Sequence, residues 1–109
     1  MSDVIPTILE RNRHRVTVVW RDPDDNAVTP STVRWKLDCL TTGTEIVTWQ
    51  TVSSPTSTTV VEISALYNTI QNSSNGAEIK EITVQANQGL ATQINTKGQY
   101  IVENAKGYT

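Results

Sequence analysis

The sequence predicts an all-β chain folded as a single antiparallel sandwich of about seven strands. Three observations carry that prediction. Apolar and polar residues alternate over several short stretches, which is the period of a half-buried strand. Thr and Ser are abundant, at 17 and 8 of 109 residues, whereas Phe is missing. That balance suits pleated strands better than long helices. Turn signals separate the alternating stretches roughly every ten to fifteen residues, the rhythm of an antiparallel sandwich.

The length fits one domain, expected over residues 14–104, with an arm or irregular first strand at 1–13 and a frayed tail at 105–109. In the first segment, "VIPTILERN" reads as a short strand broken by Pro6 or as a loose arm. Val16, Val18 and Trp20 then alternate with Thr17 and Val19, and "RDPDDN" (21–26) follows as a dense turn signal. "TVRWKLDCL" is the clearest strand: Val33, Trp35, Leu37 and Cys39 share one face, and Arg34, Lys36 and Asp38 the other. After the turn at Gly43, "EIVTWQTV" sets Val47 and Trp49 on one side and Ile46 on the other. "TTVVEISAL" faces Val61 and Ile63 one way, and a helical turn is expected near Leu66–Ile70. "AEIKEITVQANQG" puts Ile82, Val84 and Ala86 inward, with Ile79 out of phase, which predicts a bulge or a strand start near Lys80. "LATQINTKGQYIVEN" closes the set, interrupted at Gly98.

These residues resemble a known family. "VTVVWRDPDDNAVTPSTVRWKLDCL" is similar to strands B and C of a fibronectin type III or related immunoglobulin-like domain, in which a Trp ends strand B and a Pro-containing acidic turn follows. "TTVVEISAL" looks like strand E, with Val61, Ile63 and Leu66 at its core positions, and "ITVQANQG" looks like strand F. The resemblance spans about residues 14–103 and implies an immunoglobulin-like sandwich. The sequence departs from that family where a Tyr corner begins strand F; it has Glu81 and Ile82 there, and "YNTIQNSSNGAEIK" stands inserted before. The short, Thr-rich, cysteine-poor texture also resembles small virion proteins of tailed bacteriophages.

Several kinds of chemistry find little footing. Nine Lys and Arg balance eleven Asp and Glu, so the basic excess of a nucleic-acid binder is missing. Apolar runs of two or three residues form neither a membrane helix nor a signal-peptide core. Cys39 is the single Cys and His14 the single His, which leaves no internal disulfide and no Cys/His zinc set. Cys39 alternates with Trp35 and Leu37 and reads as an inert core thiol. His14 lacks the frame of a nucleophile and an orienting acid. No cofactor is expected.

Three groups remain as candidates. Asp22, Asp24 and Asp25 beside Asn26 offer oxygens for Ca²⁺, although the Gly and distal Glu of a helix-loop-helix site are missing. The competing reading is a solvated turn whose acids satisfy backbone groups. In "ERNRHR", Arg11, Arg13 and Arg15 would point one way along a strand and so present a row to a partner, or guard a sheet edge. Trp49, if exposed on a sheet face, could stack on a sugar. The resemblance to small virion proteins implies the expected function, a non-enzymatic virion structural protein, most readily a head decoration or cementing protein on capsid subunits. The alternatives are a tail accessory protein or a carbohydrate-binding adhesion module. The expected partners are viral capsid or tail subunits, with self-association open and neither nucleic acid nor membrane involved. The expected location is the virion, assembled in the host cytoplasm.

Overall fold

The computed structural model describes residues 6–105, which form seven strands in two layers. The strands are β1 (Thr7–Leu9), β2 (His14–Val19), β3 (Val33–Cys39), β4 (Thr44–Thr51), β5 (Thr58–Ile63), β6 (Ala77–Ala86) and β7 (Ile94–Glu103). A 3-10 turn at Ala65–Tyr67 lies between β5 and β6. One layer is a five-stranded sheet in the order β1-β7-β6-β3-β4, and the other pairs β2 with β5. The chain is an all-β sandwich of seven strands, as the alternation predicts. All pairings are antiparallel except β1 on β7, which is parallel.

The stretches likened to strands B and E are β2 and β5, which pair with each other. Those likened to C and F are β3 and β6, which pair in the opposite layer. This arrangement is compatible with the immunoglobulin-like class. Residues 1–5 and 106–109 lie outside the described residues, so of the expected N-terminal arm only 6–13 is seen. Within it Thr7–Leu9 is a strand on β7, extended at both ends where Ile101 donates its N–H to Pro6 O at 2.8 Å and Glu10 donates to Glu103 O at 2.8 Å.

The core follows the period of two. Trp20, Val33, Leu37, Cys39, Val61, Ile63, Ile82, Val84, Ala86, Tyr100 and Val102 are buried between the layers. Each large aliphatic among them contributes about 1.5–3 kcal/mol by leaving water. Trp20 buries its ring and still needs a partner for its N–H; Nε1 donates to Thr59 Oγ1 at 2.8 Å. Trp35 faces the same core but is half-buried, because its neighbour on β4 is the exposed Gln50.

Three expectations are corrected. Leu66 is not a core position: the chain leaves β5 after Ile63, and the 3-10 turn holds Leu66 82% exposed. Gly98 does not interrupt the last strand; it pairs with Ile82 inside β7. The bulge near Lys80 is also missing, since β6 pairs with β7 in unbroken register from Ala77 to Ala86. Ile79 is the outward residue, and the inward positions below Ile82 belong to Glu78 and Lys80.

Those two charged side chains are fully buried, with Lys80 Nζ 3.3 Å from Glu78 Oε1. The crossover from β5 to β6 lies over them and supplies their partners. Glu78 accepts from the backbone N–H of Gln71 at 2.6 Å and of Asn72 at 2.9 Å, and from Asn75 Nδ2 at 3.0 Å. Lys80 donates to Thr69 O at 2.8 Å. Burial would raise the Glu78 carboxyl pKa, but the two backbone N–H groups, the Asn75 amide and Lys80 outweigh it and hold it at about 2. Nearby, Tyr100 donates its hydroxyl to Asn68 Oδ1 at 2.6 Å, and Asn68 Nδ2 donates to Asn12 O at 2.8 Å. A Tyr on β7 thus ties down the crossover, where the resembled family uses one at the start of strand F.

Glu78→Gln keeps the side-chain shape and removes the charge facing Lys80. Breaking a buried pair in this way costs about 3–5 kcal/mol, and urea denaturation is expected to show a loss of that order. Replacing both residues by Leu is expected to restore only part of it, because the N–H groups of Gln71 and Asn72 then lose their acceptor. The acid limb checks the same group. The folded carboxyl titrates near 2 against an ordinary 4.5, so the unfolded chain takes up its proton first. The stability contributed by Glu78 is therefore complete above pH 4.5 and is lost as pH falls toward 2. Denaturation midpoints should fall across that window, and Glu78→Gln should flatten the fall.

Candidate functional site

The three arginines do not form one row. Arg11 lies in the turn after β1 with a φ of 64°, and Arg13 precedes β2; only Arg15 belongs to a strand. Arg15 points outward from β2, and its Nε donates to Glu62 Oε1 on β5 at 2.8 Å. That hydrogen bond, with the Arg15 charge and the more distant Arg13, lowers the Glu62 pKa. His14 turns inward between them and packs on Tyr100 with ring centroids 4.3 Å apart; burial lowers its pKa. Arg13, His14, Arg15 and Glu62 therefore border one shallow surface depression, while Arg11 stands apart.

The acidic segment after Trp20 is a turn. Asp22 Oδ1 accepts from the backbone N–H of Asp24 at 3.0 Å and of Asn26 at 2.9 Å, which spends that oxygen on the loop itself. Asp25 takes a φ of 67°, and its carbonyl accepts from Arg21 at 3.0 Å. Among the described residues, no three His, Cys, Asp or Glu side chains gather as metal ligation needs. Next to this turn, a cleft of about 610 Å³ opens between the β2–β3 and β6–β7 loops, with Trp20, Pro23, Val28, Pro30 and Ile94 in its wall. Asn87 bridges the two loops at the cleft: Oδ1 accepts from Ser31 N at 2.8 Å and Nδ2 donates to Thr92 Oγ1 at 3.1 Å.

Trp49 is not on the Val47 side of β4. The register against β3 slips between Trp35 and Leu37, so Thr48 and Trp49 together stand opposite Lys36. The extra residue turns Trp49 to the outer face of the large sheet, where it is half-buried. There the Arg34 guanidinium covers its ring at 3.9 Å from the centroid, and Arg34 Nε donates to Gln85 Oε1 at 2.7 Å. Gln85 in turn donates to Asn95 Oδ1 at 2.9 Å, so one polar row crosses four strands. A second row holds Lys36 to Glu45 at 2.7 Å and to Asp38 at 3.5 Å; the Glu45 hydrogen bond leads the rise in the Lys36 pKa.

Compared with known proteins, the chain matches no family model, no curated protein and no solved structure. Alternation does not disclose the unequal width of the two layers, which leaves β2 and β5 as the edges of a two-stranded sheet. The outward residues of that sheet include Val60, 52% exposed and next to the Arg15–Glu62 pair, and Val19, 46% exposed and one outward pair further along. Alternation marks such residues as outward but does not tell a sheet's edge from its centre.

Arg34 both stacks on Trp49 and bonds Gln85. Arg34→Ala is expected to cost about 2–4 kcal/mol in urea denaturation, the sum of a partly solvated cation–π contact and a charged hydrogen bond. Arg34→Lys should recover less than half of the loss, because an ammonium neither stacks flat nor reaches Gln85 with a planar fork.

Proposed function

We propose that the chain is a non-enzymatic structural module of a tailed-bacteriophage virion, a head decoration or cementing protein that docks on capsid subunits. The observation that carries the docking is the small layer. Its two strands are paired over His14–Val19 and Thr58–Ile63, and their outer face sets the exposed Val60 next to the Arg15–Glu62 ion pair, with the exposed Val19 one outward pair further along. Apolar side chains on a fixed strand frame, flanked by charge, suit a protein partner. The mechanism is passive. One weak patch per copy, repeated over many copies on a particle, adds up through multivalency. The reactive-looking groups support this reading, because each is engaged in structure: Asp22 caps its turn, Cys39 is buried, and Glu78 holds the crossover.

The setting is supported by the compact, Thr-rich, single-sandwich texture, and genes for capsid and portal proteins are expected beside this one. Purified chain added to heads assembled without it should co-sediment and saturate, and Val60→Asp should abolish that while leaving the melting curve intact. Saturable binding to tails in place of heads would move the protein to a tail accessory role. Binding to neither would overturn the virion reading. An arm deletion that tests residues before the sandwich should stop at residue 5, since Thr7–Leu9 is a strand of the large sheet.

A carbohydrate-binding module is the second reading, favoured by the outward turn of Trp49. It requires Arg34 to leave the ring or a sugar to use the opposite face. Polysaccharide that quenches Trp emission in the native chain but not in Trp49→Ala would support it, and a flat titration would remove it.

A further inference from the structure

Both strands of the small layer are sheet edges among the described residues, and side-chain burial tells them apart. Across the pairing, Thr59, Val61 and Ile63 of β5 are all buried, at 3%, 3% and 0% exposure. Val16 and Val18 of β2 point into the same core yet remain half-buried. Nothing in the described residues pairs with the outer edge of β2, because β1 joins the other layer through β7.

The hydrogen-bond phase shows which groups that edge offers. Trp20 donates its N–H to Ser57 O at 2.8 Å, and these two residues continue the register in which Val19 faces Thr58. In an antiparallel pair, bonded and non-bonded facing residues alternate. The pairs Val18–Thr59 and Val16–Val61 are therefore the bonded ones. Arg15, Thr17 and Val19 fall in the non-bonded pairs, so their N–H and C=O groups point away from β5 to the open edge. Thr17–Val19 carries none of the usual guards against pairing: no Pro, no Lys and no bulge.

We propose that the edge of β2 accepts an extended segment of a neighbouring subunit as a third strand, and that this segment alternates apolar with acidic residues. The kind of partner rests on the docking reading above; the site rests on the strand geometry. Apolar residues of the incoming strand lie against Val16 and Val18 and complete their burial. Its alternate residues share the outer face with Arg15 and lie near Arg13. Those two cations face one carboxylate, Glu62, so the local charge is net positive and selects acids. Main-chain bonds to Arg15, Thr17 and Val19 supply the affinity, and the alternation supplies the register.

Amide hydrogen exchange on the full chain, followed by NMR, tests this directly. In the free protein the amides of Arg15 and Thr17 should exchange at least about tenfold faster than those of Val16 and Val18. A synthetic heptapeptide alternating Val with Glu should slow Arg15, Thr17 and Val19 about tenfold at saturation, while the same peptide with Lys for Glu should not. Thr17→Pro should abolish the protection. If that variant fails to melt cooperatively, Arg13→Glu, which leaves the β2–β5 ladder untouched, should weaken peptide binding instead. The proposal is overturned if the edge amides are already slow in the free chain at every concentration, which means that the chain covers its own edge. It is equally overturned if they slow only as concentration rises, which means a second copy, or if the Val/Glu peptide protects nothing or no better than the Lys peptide. Peptide protection without virion binding would sink the virion setting and keep the edge; virion binding without protection would do the reverse.

Discussion

Two strands cannot cover five. The inward face of the β1-β7-β6-β3-β4 sheet is wide, and among the described residues the strands opposite it are β2 and β5. Neighbouring strands are about 4.8 Å apart, so the small layer spans roughly two-fifths of the width it faces. The remaining apolar and backbone surface has to be covered by something that is not a strand. Much of what distinguishes this sandwich follows from how each uncovered margin is handled.

On the margin near the start of β6, the cover is the crossover between β5 and β6. Irregular chain brings unpaired N–H and C=O groups with it, and burying those against an aliphatic surface would cost several kcal/mol. The sheet answers with polar groups at its own inward positions. Glu78 accepts the loop's N–H groups, Lys80 takes a loop carbonyl, and Tyr100 with Asn68 fastens the next stretch. No buried side-chain nitrogen or oxygen among the described residues is left without a partner. The ion pair is therefore less a source of net stability than the condition on which a polar loop can lie over a core. The same logic explains Glu10, whose two oxygens accept from Ile70 N at 3.3 Å and Ala105 N at 2.9 Å and so close the far side of the crossover.

This solution limits what the sequence discloses. Alternation placed Val33, Leu37, Cys39, Val61, Ile63, Ile82, Val84 and Ala86 correctly, because those residues lie where strand faces strand and burial follows polarity. It failed at Glu78 and Lys80, where an inward residue had to be charged, and so an unbroken strand looked bulged at Ile79. It failed in the opposite sense at Trp49, where a real bulge carries no Gly or Pro to announce it. The acidic turn after Trp20 was legible because Asp and Asn act there on their own neighbours. The arginine row was not, since it presumed a continuous strand through Arg11, where the backbone turns left-handed. Local patterns report local contacts; which strand ends at an open edge is decided by topology.

On the other margin the fold leaves the problem open. Val16 and Val18 keep part of their surface in water, and no described residue bonds the backbone groups along that edge. Solvated backbone costs little, but half-buried valines forgo part of the transfer free energy that their β5 neighbours gain. A group that binds only the folded state adds RT ln(1 + [L]/Kd) to its stability, so whatever completes this layer also stabilises it. The margin sealed by polar chemistry is already satisfied and has little to gain from a partner. The margin of β2 has both apolar area and hydrogen bonds still to gain, and the two gains coincide on the same strand. A partner that pairs there need not rearrange the core, since β2 is already held by β5 on its other side. The asymmetry between a margin closed by polar chemistry and one whose valines stay half-buried is what places the proposed third strand on β2.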